Sequence, residues 1–144
     1  MKEELKLKKT LISIIAVIII LVGVYYTYTY YNGPKITDAV VSKSMDDTGK
    51  PIESATEFSP EDTVYFSAKG NRFWIKKAQV VWYKGEIATA NRLLVEEGIK
   101  INNTGYFCAE LLVPEGLEEG HYAVSIYVDG ADIIESKTEF DIKK

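Results

Sequence analysis

The stretch from Thr10 to Tyr31 reads TLISIIAVIIILVGVYYTYTYY, and it decides where the rest of the chain can lie. It contains no charged residue, and about 20 apolar residues are enough to cross a hydrocarbon core of roughly 30 Å. Its Leu, Ile and Val side chains favour insertion into lipid, where a single segment can satisfy its backbone hydrogen bonds only as a helix. The sequence therefore predicts one transmembrane helix over residues 10–31.

The residues on either side of this span predict its orientation. Four lysines lie within residues 1–9, and cytoplasmic flanks carry an excess of Lys and Arg, so this short basic tail is expected in the cytoplasm. Five tyrosines lie at the other end of the span, where aromatic rings favour the membrane interface. We expect a single-pass plasma-membrane protein with a linker over residues 32–35 and an extracytoplasmic domain over residues 36–144.

A cleaved signal peptide is the alternative, because secreted proteins also begin with a basic segment followed by an apolar one. The apolar run here is longer than the roughly 7 to 15 residues that are usual in a signal peptide. It also ends in bulky tyrosines, where cleavage needs small residues. We therefore expect the segment to be retained as a signal anchor.

Charge and composition narrow the function of the remaining residues. The chain carries 17 basic and 21 acidic residues, a net charge of −4; residues 1–9 contribute four lysines and two glutamates, so the remainder stands at −6. This negative charge argues against binding nucleic acid or anionic lipid by charge alone. Cys108 is the only cysteine and His121 the only histidine, which leaves no intrachain disulfide and no Cys/His zinc site. We expect neither a metal nor a cofactor.

Alternating apolar and polar residues predict β-strands throughout residues 36–144. The pattern is clearest in residues 63–68 and 77–84, and the Asp129-Gly130 pair is a strong hairpin signal. The other expected strands cover residues 36–43, 87–95, 106–113, 122–128 and 131–142, with turn formers in residues 45–51 and 98–105. Seven strands without a helix outside the membrane indicate an all-β sandwich of two antiparallel sheets.

Two features of these strands carry a family resemblance. Trp82 on the third strand, and Gly120-His121-Tyr122-Ala123-Val124 opening the sixth, resemble the buried tryptophan and the tyrosine corner of immunoglobulin-like domains. Antibody-type domains have a disulfide where this chain has Val124 and either Phe66 or Ala68, so the chain is more similar to cysteine-free, fibronectin type III-like relatives. The resemblance implies a seven-stranded immunoglobulin-like sandwich. Its expected core includes Phe66, Trp82, Tyr122 and Val124.

A candidate contact face lies on the outward side of the sheet that holds the third, sixth and seventh strands. Alternation places four residues there, away from the core: Val81, Tyr83, Tyr127 and Ile133. Exposed aromatic side chains often mark a surface that binds another protein. The alternative is that cross-strand tyrosine pairs simply stabilise the sheet. We take the set of four as the expected contact face.

Smaller features leave alternatives open. Alternation turns Cys108 outward, where it would be a half-covered apolar residue or would form a disulfide with a partner. Asn102-Asn103-Thr104 is a glycosylation sequon in an expected loop, which makes Asn102 a possible glycan site. Gly23 and Thr27 form a pair of small residues that could support association of the helix with another.

No residue pattern here predicts catalysis. His121 begins a strand and no serine or cysteine lies in a nucleophile motif, while the glutamate pairs 96–97 and 118–119 fall in expected connections. We expect a non-catalytic protein that presents its sandwich to an unidentified protein partner for adhesion or accessory binding. One alternative is a small subunit of a membrane transporter or envelope complex whose helix carries the specificity. The other is a secreted ligand-binding or enzymatic domain.

Overall fold

The computed structural model describes all 144 residues, which divide into two compact units, Met1–Gly33 and Pro34–Lys144. The first unit is a single helix, α1, Lys2–Asn32. It contains the expected span over residues 10–31 and also continues through residues 2–9, the expected short basic tail. Lys, Glu and Leu are good helix formers, so the tail extends the helix. The helix is long and apolar enough to cross a membrane.

Polar side chains within α1 are paired with the backbone of the helix itself. The hydroxyl groups of Thr10, Ser13 and Thr27 each donate a hydrogen bond to the carbonyl oxygen four residues earlier, at 2.8 to 3.0 Å. In the last turn, Asn32 Nδ2 donates to the Tyr28 carbonyl oxygen at 3.0 Å. Because these groups need no water, they add little to the cost of placing the helix in hydrocarbon.

The second unit is built from nine strands in two sheets. The strands are β1 Ile36–Met45, β2 Pro51–Ser54, β3 Glu57–Phe58, β4 Val64–Gly70, β5 Lys77–Lys84, β6 Arg92–Lys100, β7 Tyr106–Leu111, β8 Gly120–Val128 and β9 Ile134–Ile142. One sheet is antiparallel and has the order β2-β1-β4-β7. The other has the order β3-β9-β8-β5-β6 and is mixed, because β3 runs parallel to β9.

The domain is mostly β, as expected, but it has nine strands where seven were expected, and one of its two sheets is mixed. The two additional strands are β2 and β3, whose residues are outside the seven expected strands. They lie at sheet edges and have four and two residues, which are too few to show an alternating pattern. By contrast, β5 has the bounds expected from the sequence, because its alternation is regular over its whole length.

The strand after β5 begins later than expected and also ends later. A short 3₁₀ turn, Thr89–Asn91, occupies the residues expected to start it, and Asn91 Nδ2 donates to the Glu86 carbonyl oxygen at 2.9 Å. At the other end β6 continues to Lys100, through residues expected to form a loop. Gly98, an expected turn residue, has a φ of 67° and lies inside β6. A glycine with positive φ occurs at an irregularity within a strand as well as in a turn, so its presence did not distinguish the two.

An aromatic cluster connects the two sheets. Phe140 of β9 stacks on Tyr122 with 5.4 Å between ring centres and meets the ring of Trp82 edge-on at 6.2 Å. Phe66, on β4 of the other sheet, meets Trp82 edge-on at 6.1 Å. All four residues of the expected core, Val124 included, are buried. These rings supply apolar area and specific edge contacts between the layers.

Tyr122 also makes a polar contact that can be tested separately. Its hydroxyl donates a hydrogen bond of 2.7 Å to the carbonyl oxygen of Glu118, in the connection that leads into β8. Tyr122→Phe keeps the stacked ring and removes only this bond, so we expect the free energy of unfolding to fall by about 1 kcal/mol. Chemical denaturation measures the change, with Tyr106→Phe as the control. An unchanged midpoint would show that the hydroxyl does not stabilise this corner.

Candidate contact surface

The face expected for contact is closed to a partner over most of its area. Val81, Tyr83 and Tyr127 are buried, with exposed fractions of 1%, 1% and 9%, so their expected exposure is wrong. They form a second, smaller apolar cluster on the outer side of the five-stranded sheet, and Ile87 packs against it. Ile133 is the only member of the expected face that lies at the surface.

The buried tyrosines of this cluster are joined by hydrogen bonds. The hydroxyl oxygens of Tyr83 and Tyr127 lie 3.1 Å apart, and Ser125 Oγ donates to the Tyr83 hydroxyl at 3.3 Å. Burial, followed by the hydrogen bond with Tyr83, raises the pKa of Tyr127. The alternation of residues along the strands correctly separates this face from the main core. It does not show whether another segment, such as the connection between β5 and β6 that contains Ile87, covers the face. These positions fit the alternative in which tyrosine pairs stabilise the sheet.

A continuous run of partly exposed apolar residues lies on β6, the last strand of the five-stranded sheet. Leu93, Leu94 and Val95 are consecutive, and each is roughly two-fifths exposed. β6 pairs with β5 on one side only, so its other side offers unpaired backbone N–H and C=O groups. Successive side chains of a strand point to opposite faces, so three apolar residues in a row place apolar side chains on both faces of β6. This run is the signal in the sequence that could have located the surface. We call Leu93–Val95 and the open side of β6 the β6 edge.

A groove of about 540 Å³ continues this surface at the start of β6. Leu93, Val113 and Leu117 contribute apolar side chains to its lining. At its margin, Lys84 and Glu118 form an ion pair. An apolar centre with a charged rim is the usual composition of a protein-binding site.

Two irregularities limit the regular part of β6. Its pairing with β5 shifts register between Ala78 and Val80 and again between Trp82 and Tyr83. Between these points, Leu94–Glu96 pairs regularly with β5. Bulges bend a strand and restrict how many of its residues can pair with an added strand. The β6 edge therefore suits a short strand from a partner better than extended self-association.

Glu96 links the β6 edge to the main core. Its Oε2 accepts a hydrogen bond of 3.1 Å from Nε1 of Trp82, whose side chain is fully buried. The expectation that Glu96 is a solvated loop residue is therefore wrong, since it lies within a strand and satisfies a buried donor. The bond joins residues of neighbouring strands that are not directly opposite each other, and no local pattern in the sequence predicts it.

Two loops meet at Asn102. Its Oδ1 accepts hydrogen bonds from the backbone N–H groups of Thr104 and Tyr106 at 3.0 and 2.8 Å. Its Nδ2, the atom that would carry a glycan, donates to the Thr48 carbonyl oxygen at 2.8 Å. A glycan at Asn102 would replace one of the two hydrogens of Nδ2 and would lie beside this contact between the loops.

Cys108 lies beside the same contact and is half-buried. Its Sγ is 3.7 Å from the carbonyl oxygen of Gly49, and a Cβ placed on Gly49 would come within 2.6 Å of this sulfur. Burial, and to a lesser extent the charge of Asp46, raises the pKa of the Cys108 thiol. A covered thiol with a raised pKa is a poor nucleophile, which argues against an accessible disulfide partner site.

His121 lies at the surface between two carboxylates of β9. Its Nδ1 is 2.8 Å from Asp141 Oδ1, and its Nε2 is 3.8 Å from Glu139 Oε2. The hydrogen bond with Asp141 is the main cause that raises the pKa of His121 above its ordinary value of 6.5. These partners hold the imidazole in place but supply no hydroxyl or thiol for it to activate. No group of three or more His, Cys, Asp or Glu side chains that could hold a metal ion is present.

The raised pKa of His121 predicts a pH dependence of stability. Both carboxylates stabilise the imidazolium form of His121 in the folded state. This contribution to the free energy of unfolding is complete below pH 6.5, and it is lost as the pH rises through the higher pKa of the folded state. We expect His121→Gln to lower the denaturation midpoint at about pH 5.5 and to have little effect at about pH 8.5. In an Asp141→Asn background, the effect of His121→Gln should be nearly the same at the two pH values. Equal effects of His121→Gln at both pH values would contradict this assignment.

Comparison with known proteins identifies no family for this chain. No protein-family model matches it, and no curated protein matches its sequence. The function is therefore argued from the surfaces of the molecule.

Proposed function

We propose that the chain is a single-pass membrane protein whose β-domain faces outward and binds another protein through the β6 edge, without catalysing a reaction. The observation that carries this proposal is the row of exposed apolar residues Leu93–Val95 on a strand with one open side. Such an edge is an aggregation hazard when it is left uncovered. A partner that adds a short strand to β6 would pair the open backbone groups and bury the apolar side chains.

The anchoring of the chain rests on α1. No residue of α1 is buried in its own unit, and no charge lies between Lys9 and Lys35. The length of the apolar run and its tyrosine-rich end favour a retained anchor over a cleaved signal peptide. The lysines that precede the span favour a cytoplasmic N terminus and an extracytoplasmic domain at the plasma membrane.

We assign the domain to the immunoglobulin-like sandwiches of the fibronectin type III-like kind. In support, β1-β4-β7 and β9-β8-β5-β6 follow the order in which strands A-B-E and G-F-C-C′ lie in that fold. Trp82 on β5 takes the place of the buried tryptophan, and the hydrogen bond from Tyr122 to Glu118 takes that of the tyrosine corner. In this assignment β2 and β3 are additions at the edges of a seven-stranded framework. The fold itself implies no activity.

Contact is favoured over catalysis because the reactive side chains have other partners. The Cys108 sulfur is half-buried beside the Gly49 carbonyl group, and its thiol has a raised pKa. His121 is held by Asp141 and Glu139 at an exposed position. A catalytic site needs a nucleophile or acid placed within reach of a base in a cleft, and these two residues do not supply one.

A membrane-subunit function is the second candidate, and one feature of α1 favours it. The absence of a side chain at Gly23 leaves a groove along the helix that is lined by Ile20, Val24, Thr27 and Tyr28. Small residues in a membrane helix let another helix approach closely. In that case the helix would carry the specificity, and the β-domain would cover the assembly on the outer side.

The proposed anchoring and partner specificity can be tested in the native host. We expect the full chain to stay in the membrane fraction after alkaline carbonate extraction and its β-domain to be cleaved by protease added to intact cells. Release by carbonate, or protection from the protease, would contradict the proposed anchoring or orientation. Replacing residues 10–31 by an unrelated transmembrane helix should leave a partner crosslinked to the β6 edge. Loss of that partner would favour the membrane-subunit function.

A further inference from the structure

We call the end of the β-domain at which β1 begins the tether end. It carries the two most exposed large apolar side chains of the domain. These are Phe73, in the loop between β4 and β5, and Ile133, in the hairpin between β8 and β9; their exposed fractions are 76% and 70%. Strand pairing places both connections at this end. The start of β1 pairs with the last residues of β4, and the start of β5 pairs with the end of β8.

The loop of residues 71–76 holds Phe73 outward on a packed base. Ile75 is buried, and Trp74 packs partly against the main core. The ring of Phe73 meets that of Trp74 edge-on with 5.1 Å between ring centres. The N–H of Ile75 donates to the Arg72 carbonyl oxygen at 3.2 Å and closes a turn. The exposure of Phe73 is therefore a consequence of how the loop is packed.

The charge of this loop differs from that of the rest of the domain. Residues 71–77 contain Arg72, Lys76 and Lys77 and no carboxylate, although the chain beyond residue 9 has a net charge of −6. The carboxylates at this end belong to other elements, namely Asp38 of β1, Asp129 and Asp132 in the hairpin and Glu135 at the start of β9. The opposite end of the domain has a groove bordered by four glutamates, Glu61, Glu115, Glu118 and Glu119.

Lys35 connects the tether end to the chain that leads to α1. Its carbonyl oxygen accepts a hydrogen bond of 2.8 Å from the N–H of Asn71, and its own N–H donates to Glu135 Oε2 at 2.9 Å. Since α1 ends at Asn32, the three residue steps to Lys35 can span at most about 11 Å. If α1 crosses a bilayer, the tether end must lie close to the surface of that bilayer.

We propose that the tether end rests on the membrane, with Phe73 and Ile133 inserted at the level of the lipid headgroups and with Arg72, Lys76 and Lys77 against anionic lipid phosphates. This inference depends on the anchoring proposed above. Aromatic and apolar side chains favour the interfacial layer, and cations near the surface are attracted to anionic lipid. The bilayer that holds the helix is thus also the partner that covers the apolar side chains of the tether end.

Contact with the bilayer would leave the β6 edge free for a partner. Lys100 at the end of β6 pairs with Lys77 at the tether end, and Leu93–Val95 lies near the beginning of the strand, at the opposite end of the domain. A domain that rests on the membrane through residues 71–76 and its neighbouring hairpin would therefore hold the apolar row of β6 away from the lipid.

The test uses the full chain reconstituted in vesicles of phosphatidylglycerol and phosphatidylcholine, with and without bromine on the acyl chains. Phe73→Trp places a fluorescent reporter at the tether end, and Leu112→Trp places one at an exposed apolar position at the opposite end. We expect bromine to quench the added fluorescence of Phe73→Trp and to leave that of Leu112→Trp unchanged. Ile133→Trp is the second reporter at the tether end and should be quenched as well.

Two outcomes would overturn the proposal in distinguishable ways. If the chain floats with the vesicles but the reporters at residues 73 and 133 are quenched no more than the one at residue 112, the lipid contact is wrong and the anchoring stands. If the chain does not float with the vesicles, the anchoring by α1 is itself wrong. A further support would be a loss of quenching when Arg72 and Lys76 are both replaced by glutamate, because charge reversal repels anionic phosphates.

Discussion

Replacing Leu93 and Val95 together by glutamate is expected to weaken binding of the protein partner by about 30-fold or more, which corresponds to about 2 kcal/mol. Both side chains are partly exposed on the β6 edge, so two carboxylates there would be desolvated without a counter-charge when a partner docks. The partner is recovered by crosslinking in native membranes, and the amount bound is compared with that of the unaltered chain. We expect the substitutions to affect binding and not folding, because the folded domain already exposes both positions to water.

Ile52→Glu is the matched control for this prediction. Ile52 is exposed to the same extent as Leu93, and it lies on β2, an edge strand of the other sheet. The control should keep the partner, and chemical denaturation should show that both variants remain folded, since all three positions are partly exposed. Equal retention of the partner by the double variant and the control would place the contact surface elsewhere.

Glu96→Ala is expected to lower the free energy of unfolding by about 1 to 3 kcal/mol, the usual cost of leaving a buried donor unsatisfied. The cause is the indole N–H of Trp82, which is fully buried and donates to Glu96 Oε2 at 3.1 Å. Denaturation followed by tryptophan fluorescence measures the loss. The variant should also loosen β6, because the bond joins the edge strand to the aromatic cluster of the core.

Two further substitutions show whether this loss comes from the hydrogen bond. Glu96→Gln keeps an acceptor oxygen at the same position and should recover most of the stability. Glu97→Ala removes an exposed carboxylate from the adjacent position and should have little effect. If Glu96→Ala and Glu97→Ala cost the same, the bond to Trp82 does not stabilise the edge.

The all-β character of the domain follows from its sequence because strands with regular alternation reveal both their extent and their inner face. Residues 77–84 form β5 with the expected bounds, and Val80 and Trp82 enter the main core as alternation requires. The very short strands β2 and β3 carry no such signal, since two to four residues are too few to show alternation and can be read equally well as a turn.

The surface proposed for contact was harder to predict from the sequence. Alternation placed Val81, Tyr83 and Tyr127 outside the core, but burial also depends on what packs on the outer face, and a single strand contains no information about that. The run Leu93–Val95 was visible in the sequence as consecutive apolar residues in an extended segment. Only the strand order reveals that this segment is an edge with one side unpaired.

Site-specific photocrosslinking from residue 95 of the full chain in its native membrane tests the central proposal most directly. A crosslinking amino acid at Val95 should give one specific protein adduct, and the same amino acid at Ile52 should give none, because only the β6 edge is proposed to pair with a partner. Adducts of the same protein from both positions, or adducts only from positions within α1, would contradict a function based on the β6 edge.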